Sequence, residues 1–437
     1  MNASSYKDNI FRLLEQDGPF ATGETAPDMS FFSPAARRRA QQLRETRLAT
    51  RYRIIRNQLF EFLNIESFVE IQQLIGNAAR RGEAESRAYA LFGNMFGIEG
   101  TAREIISRVD SYSRTADGVV RYLKNTVLAP YAPYIEMTNE IDTTISPVKL
   151  LLIIFDDRYH KKARFEAKRK LVLMNLAGSI DQRERETDIE NKFARFLEFL
   201  NAYVWSRDIK IGELEPAFLL SRHDPEDFSC TAVQTISCEE AKAIQPAAGQ
   251  KLTLIKRRRF HASGREIPIY VTIRKKVPEA KVLKLLRKGE ENPAVAVDDE
   301  LGLMGVLEEG MDLKLFQKHL TESAIRAGSF MTLEDVSDTL ADGTLHRSGS
   351  IGSSAKTPMF KFFARMGGMR VEFIVHTNRS YLNYMYQREV SHDEYEVKRI
   401  FDSGVAELLF PSDIYLLDMA TIKDELLRRF RKRIEGF

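Results

Sequence analysis

The first half of the chain carries apolar residues at helical spacing, with few Gly or Pro residues between them. Residues that recur at i, i+3 and i+4 form one face of an amphipathic helix. Such stripes occupy residues 68–75, 102–109, 171–176 and 193–200. A helix is expected to begin at Ser33-Pro34, because Ser caps a helix N-terminus and Pro fits the first turn. The pattern therefore predicts a flexible N-terminus over residues 1–32 and an α-helical domain over residues 33–205.

The pattern changes near residue 206. Residues 206–250 are mixed in character and interrupted by Pro216, Pro225 and Pro246, which indicates a connector with short strands. From residue 251 to residue 437, β-rich runs alternate with helical segments, so this part is predicted to form a second domain. Strands flanked by helices argue for a mixed sheet. The predicted fold class is α+β, with an N-terminal α-helical domain followed by a mixed-sheet α/β domain.

The elements of the second domain are predicted from turn and cap signals as well as from periodicity. The first elements are strands at 252–260 and 267–274, joined by a turn at 262–265, and then a helix at 278–287 that ends at Gly289. A strand near 294–297 follows, with apolar residues continuing at 301–307, and then a helix at 313–327. The last elements are a polar loop at 342–357, a hairpin of residues 359–365 and 369–376 around Gly367-Gly368, and closing helices.

Composition narrows the class of protein. At roughly 150 residues per domain, 437 residues allow two or three domains. A net charge of +3 excludes a globally basic nucleic-acid coat. Cys230 and Cys238 are too few for a disulfide framework and lack the partners of a zinc site. The most apolar run, Leu150–Phe155, is far shorter than a membrane span, and residues 1–20 lack a secretory signal pattern, so we expect a cytoplasmic protein without membrane contact.

Positive charge is concentrated in residues 251–288, where thirteen Lys and Arg residues face two Glu residues. Arg and Lys donors match phosphate oxygens, so a nucleoside triphosphate is the natural anion for such a segment. Solvated charge is the alternative for the run Lys256–Arg259. It is a weaker alternative for Arg274, Lys276 and Lys284, because a strand end and the following helix would point these three side chains at one place.

Two carboxylate positions follow downstream. Asp298-Asp299 is predicted to end a strand close to the basic segment, and magnesium prefers carboxylate oxygens combined with nucleotide phosphates, so Asp299 is a candidate metal ligand. Glu372 lies within the apolar run Val371–Val375. A Glu in an apolar strand is either an outward surface residue or a pre-positioned base, and both alternatives stay open at this point.

The order of these residues resembles the RelA/SpoT synthetase domain over roughly residues 250–405. The corresponding motifs read Arg274-x-Lys276 with Lys284, then Asp299-Glu300-Leu301-Gly302-Leu303, then Glu372-x-Ile374-x-His376-Thr377. The family pattern runs R-x-K, a Ser, a Lys, then D-x-x-G-[IV]-R and E-x-Q-x-R-T. The departures of this chain from the pattern include Ala280, Met304, Ile374 and His376. The tyrosine motif with which the family stacks guanine has no counterpart at residues 356–361.

The resemblance implies a nucleotidyltransferase-like fold and an alarmone-type activity. The implied reaction is magnesium-dependent transfer of pyrophosphate from ATP to a ribose 3′-hydroxyl of a purine nucleotide or a tRNA end. Arg274, Lys276 and Lys284 would hold the ATP phosphates, Asp299 would bind magnesium, and Glu372 would orient the magnesium or deprotonate the hydroxyl. The departures from the pattern keep an alternative open, a catalytically degenerate protein that binds nucleotide or RNA as a regulator or scaffold. The helical half could contact a protein partner or mediate self-association.

Overall fold

The structure is a computed structural model that describes residues 34–43, 46–66, 68–206, 214–297, 301–342 and 358–435. Residues 1–32, predicted to be a flexible N-terminus, lie outside this set. The chain divides into two compact units, the first formed by residues 1–113 and 138–171 and the second by residues 114–137 and 172–437. Within the described ranges, no helix combines the length and the apolar character needed to cross a membrane.

Helices make up the described chain before residue 206. They are α1 (Pro34–Leu43), α2 (Arg47–Leu63), α3 (Phe68–Gly76), α4 (Ala78–Met95), α5 (Ala102–Tyr122), α6 (Asn139–Thr143), α7 (Pro147–Phe155), α8 (Lys161–Thr187) and α9 (Ile189–Phe199). Short π-helical turns at Leu123–Val127 and Leu200–Val204 follow α5 and α9. The predicted helix start is confirmed at Pro34, and Ser33 lies outside the described residues.

The apolar core of the first unit includes the predicted stripe at residues 68–75. Leu63, Ile71 and Leu74 are almost fully buried and pack with Ala88 and Val148. Local signals fix the ends of these helices: the Asn77 side chain accepts a hydrogen bond from the Arg80 amide at the start of α4. Capping of this kind satisfies one of the amide groups that a helix N-terminus leaves unpaired.

The described residues of the second unit contain one mixed sheet of eight strands. The strands are β1 (Glu215–His223), β2 (Cys230–Ile236), β3 (Gln250–Ala262), β4 (Arg265–Lys275), β5 (Leu301–Leu307), β6 (Met331–Asp338), β7 (Phe360–Met366) and β8 (Met369–Thr377). Their order across the sheet is β2-β1-β3-β4-β5-β8-β7-β6. Neighbouring strands pair antiparallel except β5 and β8, which pair in parallel. The α+β class is therefore confirmed.

The remaining helices connect the strands or follow the last one. They are α10 (Cys238–Ala243), α11 (Pro278–Lys288), α12 (Ala294–Val297), α13 (Gly310–Arg326), α14 (Thr339–Asp342), α15 (Asn378–Tyr386), α16 (His392–Asp402), α17 (Val405–Leu409), α18 (Ser412–Tyr415) and α19 (Met419–Glu435).

The main core lies on one face of the sheet. The rings of Phe362 on β7 and Phe373 on β8 stack 4.9 Å apart, and Phe196 of α9 meets Phe373 edge-on at 6.2 Å. Phe316 of α13 and Leu320 belong to the same cluster. The opposite face carries a smaller cluster around Leu219, Val306 and Tyr381. Because side chains alternate along a strand, residues 372, 374 and 376 of β8 point away from the main core.

Several local predictions are confirmed. The turn between β3 and β4 holds Ser263 and Gly264, both with positive φ (52° and 76°), as a two-residue hairpin turn requires. Helix α11 ends at Gly289 with φ 62°, in the left-handed conformation that glycine adopts without strain. The hairpin of β7 and β8 closes around Gly367-Gly368. The centre of the predicted loop, residues 343–357, lies outside the described ranges.

The other predictions have mixed outcomes. Residues 294–297 form α12 and not a strand, because the Ala296 and Val297 amides donate to the Pro293 carbonyl and close a helical turn. The short strands expected within the connector at residues 206–250 are present as β1 and β2, and they extend the sheet beyond β3. Residues 114–137 and 172–205, assigned by pattern to the helical domain, belong to the same compact unit as the sheet.

Candidate active site

The sheet brings Arg274 and Glu372 to neighbouring positions on one face. Arg274 on β4 is paired with Gly302 on β5, and Gly302 is paired in turn with Glu372 on β8. A Cβ atom added at Gly302 would lie 3.1 Å from Nε of Arg274, so the Arg274 side chain crosses directly over this glycine. The absence of a side chain at Gly302 therefore lets the guanidinium reach the carboxylate two strands away.

Glu372 has both of its carboxylate oxygens engaged by cations. Nη2 of Arg274 lies 3.3 Å from Oε2, and Nζ of Lys361 on β7 lies 2.8 Å from Oε1. The side chains of Glu372 and Lys361 are only 10% and 12% exposed, whereas that of Arg274 is 44% exposed. Glu372 is therefore not an outward surface residue, and Arg274 is the member of the group that solvent and solutes can reach.

The electrostatics of this cluster favour a charged carboxylate. Burial alone would raise the pKa of Glu372, but the charges of Lys361, Arg274 and Lys276 outweigh it and hold the pKa below its usual range. Glu372 is thus ionised at neutral pH and accepts hydrogen bonds. Three cations act on this one carboxylate, and a concentration of cations attracts anions such as a polyphosphate.

The five residues predicted for the site have different outcomes. Arg274 and Glu372 are in contact, and Lys276, just beyond the end of β4, acts on Glu372 through its charge. Lys284 lies on α11 and is 8% exposed, so it is much less accessible than Arg274. Asp299 lies outside the described residues. The strand predicted before it, at residues 294–297, is instead α12, and β5 begins at Leu301.

In the described part of this cluster, one carboxylate, that of Glu372, could coordinate a magnesium ion. Among the described residues, no group of three or more His, Cys, Asp or Glu side chains is placed to hold a metal ion. Magnesium is commonly bound by one or two carboxylates together with substrate phosphates and water. The residues present fit that coordination on one condition, namely that Glu372 exchanges a cationic partner for the metal when phosphate oxygens arrive.

Sequence reasoning missed Lys361. This residue stands in the apolar run Met359–Phe363, just as Glu372 stands in an apolar run on the paired strand. The hairpin register places Lys361 opposite Ile374, which makes Glu372 its diagonal neighbour on the same face. Two opposite charges in the apolar strands of one hairpin were the signal that could have found the pair.

The end of the third motif has a structural role in this chain. The Thr377 hydroxyl accepts a hydrogen bond from the Ser380 amide, and Ser380 in turn interacts with the Thr377 amide, which forms a capping box at the start of α15. His376 is fully buried, and burial lowers its pKa to about 4. It is therefore neutral at pH 7 and supplies no positive charge where the resembling family has Arg.

Comparisons of the chain with family models, with curated proteins and with solved structures return no match.

Proposed function

We propose that this protein is a magnesium-dependent pyrophosphokinase that transfers pyrophosphate from ATP to a ribose 3′-hydroxyl of a purine nucleotide or a tRNA end. The observation that carries the proposal is the buried Glu372 carboxylate, held between Lys361 and Arg274 on one face of the sheet. Among the described strands, one parallel pair in an otherwise antiparallel sheet supports a nucleotidyltransferase-like assignment of the fold.

The chemistry of phosphoryl-type transfer depends on positioning and on charge neutralisation. Arg274 and Lys276 offer donors for phosphate oxygens, and their charge would offset the charge that develops during transfer. Glu372 is ionised and fixed in place, so it can accept a hydrogen bond from the attacking hydroxyl or bind the magnesium ion that accompanies ATP. Asp299, three residues before Gly302 in the sequence, is the proposed second magnesium ligand. Lys284 is the proposed third cation for ATP.

A second candidate function is nucleotide or RNA binding without transfer, in a regulator or scaffold. Two observations favour it. Both oxygens of Glu372 already have cationic partners, and His376 is neutral where the resembling motif has Arg. In this alternative the anion binds Arg274 and Lys276, and Glu372 serves only to position Arg274 and Lys361.

The test is a transfer assay with the purified full chain. ATP labelled at the β-phosphate is incubated with magnesium and, separately, with GDP, GTP, ATP and bulk tRNA. The proposal expects label on one acceptor, and it expects Glu372→Gln to abolish the transfer. Glu334→Gln is the matched control, since Glu334 on β6 also pairs with two Arg residues but lies at the far edge of the sheet.

The two candidate functions give different outcomes. Transfer that survives in Glu372→Gln at the wild-type rate would overturn the assignment of this residue. Absence of transfer to any acceptor, together with ATP binding that is lost in Arg274→Ala, would favour the binding protein. Absence of transfer, together with absence of binding to ATP, GTP and bulk tRNA, would reject both candidates.

A further inference from the structure

An aromatic pair lies on the same face of the sheet as Glu372. The ring of Tyr384, on α15, is 5.1 Å from the ring of His392 at the start of α16. It is also 5.2 Å from the ring of the buried His376, tilted by 37°. Tyr384 is half-buried, and the His392 side chain is 35% exposed. The pair therefore contacts the buried ring of His376 and is also partly accessible to solvent.

The aromatic pair, Tyr384 and His392, adjoins the cluster around Glu372. His376 follows Glu372 by four residues on β8 and points to the same face, a distance of about 13 Å along the strand. Charged residues on the sheet and on α16 both affect the pKa of Tyr384. Burial is the main factor that raises its pKa, Arg274 lowers it, and Asp393, Glu396 and Glu372 raise it further. The phenol thus lies within electrostatic range of Glu372 and of α16.

A hydrogen-bond acceptor, the carboxylate of Asp393, lies beside the aromatic pair. The Asp393 carboxylate lies 3.6 Å from Nδ1 of His392 and is 68% exposed, so it has capacity for another donor. Glu396, one turn further along α16, is 3.9 Å from Nε2 of His392 and also bonds Arg399. Aromatic rings beside an exposed carboxylate suit a flat heterocycle that carries N–H groups, because the rings stack on its face and the carboxylate accepts from its edge.

We propose that the aromatic pair is a nucleobase subsite, in which a base stacks on Tyr384 and His392 and donates an N–H to Asp393, while the phosphates of the same nucleotide bind Arg274 and Lys276. This inference rests on the proposed function, because it assumes that a nucleotide phosphate binds beside Glu372. It supplies a base-stacking surface for a chain that lacks the tyrosine motif expected at residues 356–361.

The test separates base from phosphate by measuring equilibrium binding of ATP, GTP and inorganic tripolyphosphate, which has no base. Stacking of a base on an aromatic side chain is lost on truncation, so Tyr384→Leu and His392→Ala are each expected to weaken binding of ATP or GTP by about tenfold. Tripolyphosphate binding is expected to stay unchanged in both. Asp393→Ala is expected to weaken nucleotide binding because it removes the acceptor for the base N–H. It is not expected to weaken tripolyphosphate binding, because the charge that it removes is negative.

Two controls exclude unfolding and surface effects. Tyr384→Phe keeps the ring and is expected to retain nucleotide binding, so a loss in Tyr384→Leu alone is a loss of stacking. His261→Ala removes an exposed His (62% exposed) at the β3–β4 hairpin and is expected to have no effect. Circular dichroism melting checks that each variant is folded.

Each result decides the proposal. Equal losses for tripolyphosphate and nucleotides would overturn the subsite, since the residues would then act on phosphate or on folding. Nucleotide binding that depends on Arg274 but not on Tyr384 or His392 would overturn the subsite and leave the proposed function standing. Failure of the wild-type chain to bind any of the three compounds would reject both.

Discussion

The buried carboxylate of Glu394 on α16 binds Arg431 of α19, and its substitution has a predictable effect on stability. Glu394 is 1% exposed. Its carboxylate accepts hydrogen bonds from Nη2 of Arg431 at 2.5 Å, from Nζ of Lys398 at 2.8 Å and from the Glu389 amide at 3.1 Å. Burial alone would raise the pKa of Glu394, but these hydrogen bonds outweigh it and lower the pKa from 4.5 to about 2.

The stability that follows from this shift depends on pH. A pKa lowered in the folded state contributes stability above the unfolded-state pKa, and that stability is lost as pH falls through the folded-state pKa. A shift from 4.5 to about 2 corresponds to about 3 kcal/mol at pH 7. About 1.4 kcal/mol of this is lost between pH 7 and roughly pH 3.5. The partners Arg431 and Lys398 are about one-third exposed, so water can solvate them when the carboxylate is removed.

We therefore expect Glu394→Gln to lower the free energy of unfolding by about 2–3 kcal/mol at pH 7, with a smaller difference from wild type at acid pH. The assay is urea unfolding followed by the fluorescence of Trp205, the one tryptophan of the chain, which stacks 6.3 Å from Phe316 in the main core. Glu322→Gln is the matched control, since Glu322 forms an exposed pair with Lys318 and its loss should cost less than ~0.5 kcal/mol.

A pH-independent difference between Glu394→Gln and wild type would refute the reasoning, because the loss would then come from packing and not from ionisation. A difference below about 0.5 kcal/mol at pH 7 would also refute it, since the Arg431 and Lys398 contacts would then have the value of an exposed pair.

Three further variants test the sheet. Phe373→Ala removes a ring from the main core and should lower the free energy of unfolding by about 3–5 kcal/mol in urea titrations, and a smaller loss would mean that the core repacks. Gly302→Ala should displace Arg274, which weakens ATP binding in equilibrium dialysis, while unchanged affinity would show that the close approach is unimportant. Lys361→Met should lower the free energy of unfolding by about 2–4 kcal/mol. A double-mutant cycle with Glu372→Gln should give a coupling energy above ~1 kcal/mol, whereas additive losses would mean that the two residues act independently.

Local signals in the sequence were sufficient for the elements that they govern. Ser263-Gly264 and Gly289 predicted a turn and a helix end, because each position needs a backbone conformation with positive φ. The four apolar residues Ala294–Val297 were ambiguous, since a run this short fits a buried strand or a helical turn. Strand β6 was missed because it lies at the sheet edge, where residues such as Val336 stay exposed and the alternating pattern is weak.

The candidate site was predictable only in part. The order of motifs pointed to Arg274 and Glu372, and the structure places them in contact. It did not identify Lys361, whose contribution depends on the register of β7 against β8. The contact of Tyr384 with His392 was also beyond sequence reasoning, because it depends on how α15 and α16 pack over the sheet.

The parallel pairing of β5 with β8 has a consequence for folding kinetics. Gly302 and Glu372 are adjacent in the sheet but 70 positions apart in the chain, with α13, β6 and β7 between them. Contacts between distant segments require closure of a long loop before they become favourable, and they slow folding. The β7–β8 hairpin, with Lys361 beside Glu372, can form early from local contacts. Arg274 lies beside Glu372 only when β5 is paired with β8, so we expect this contact to form after the β7–β8 hairpin.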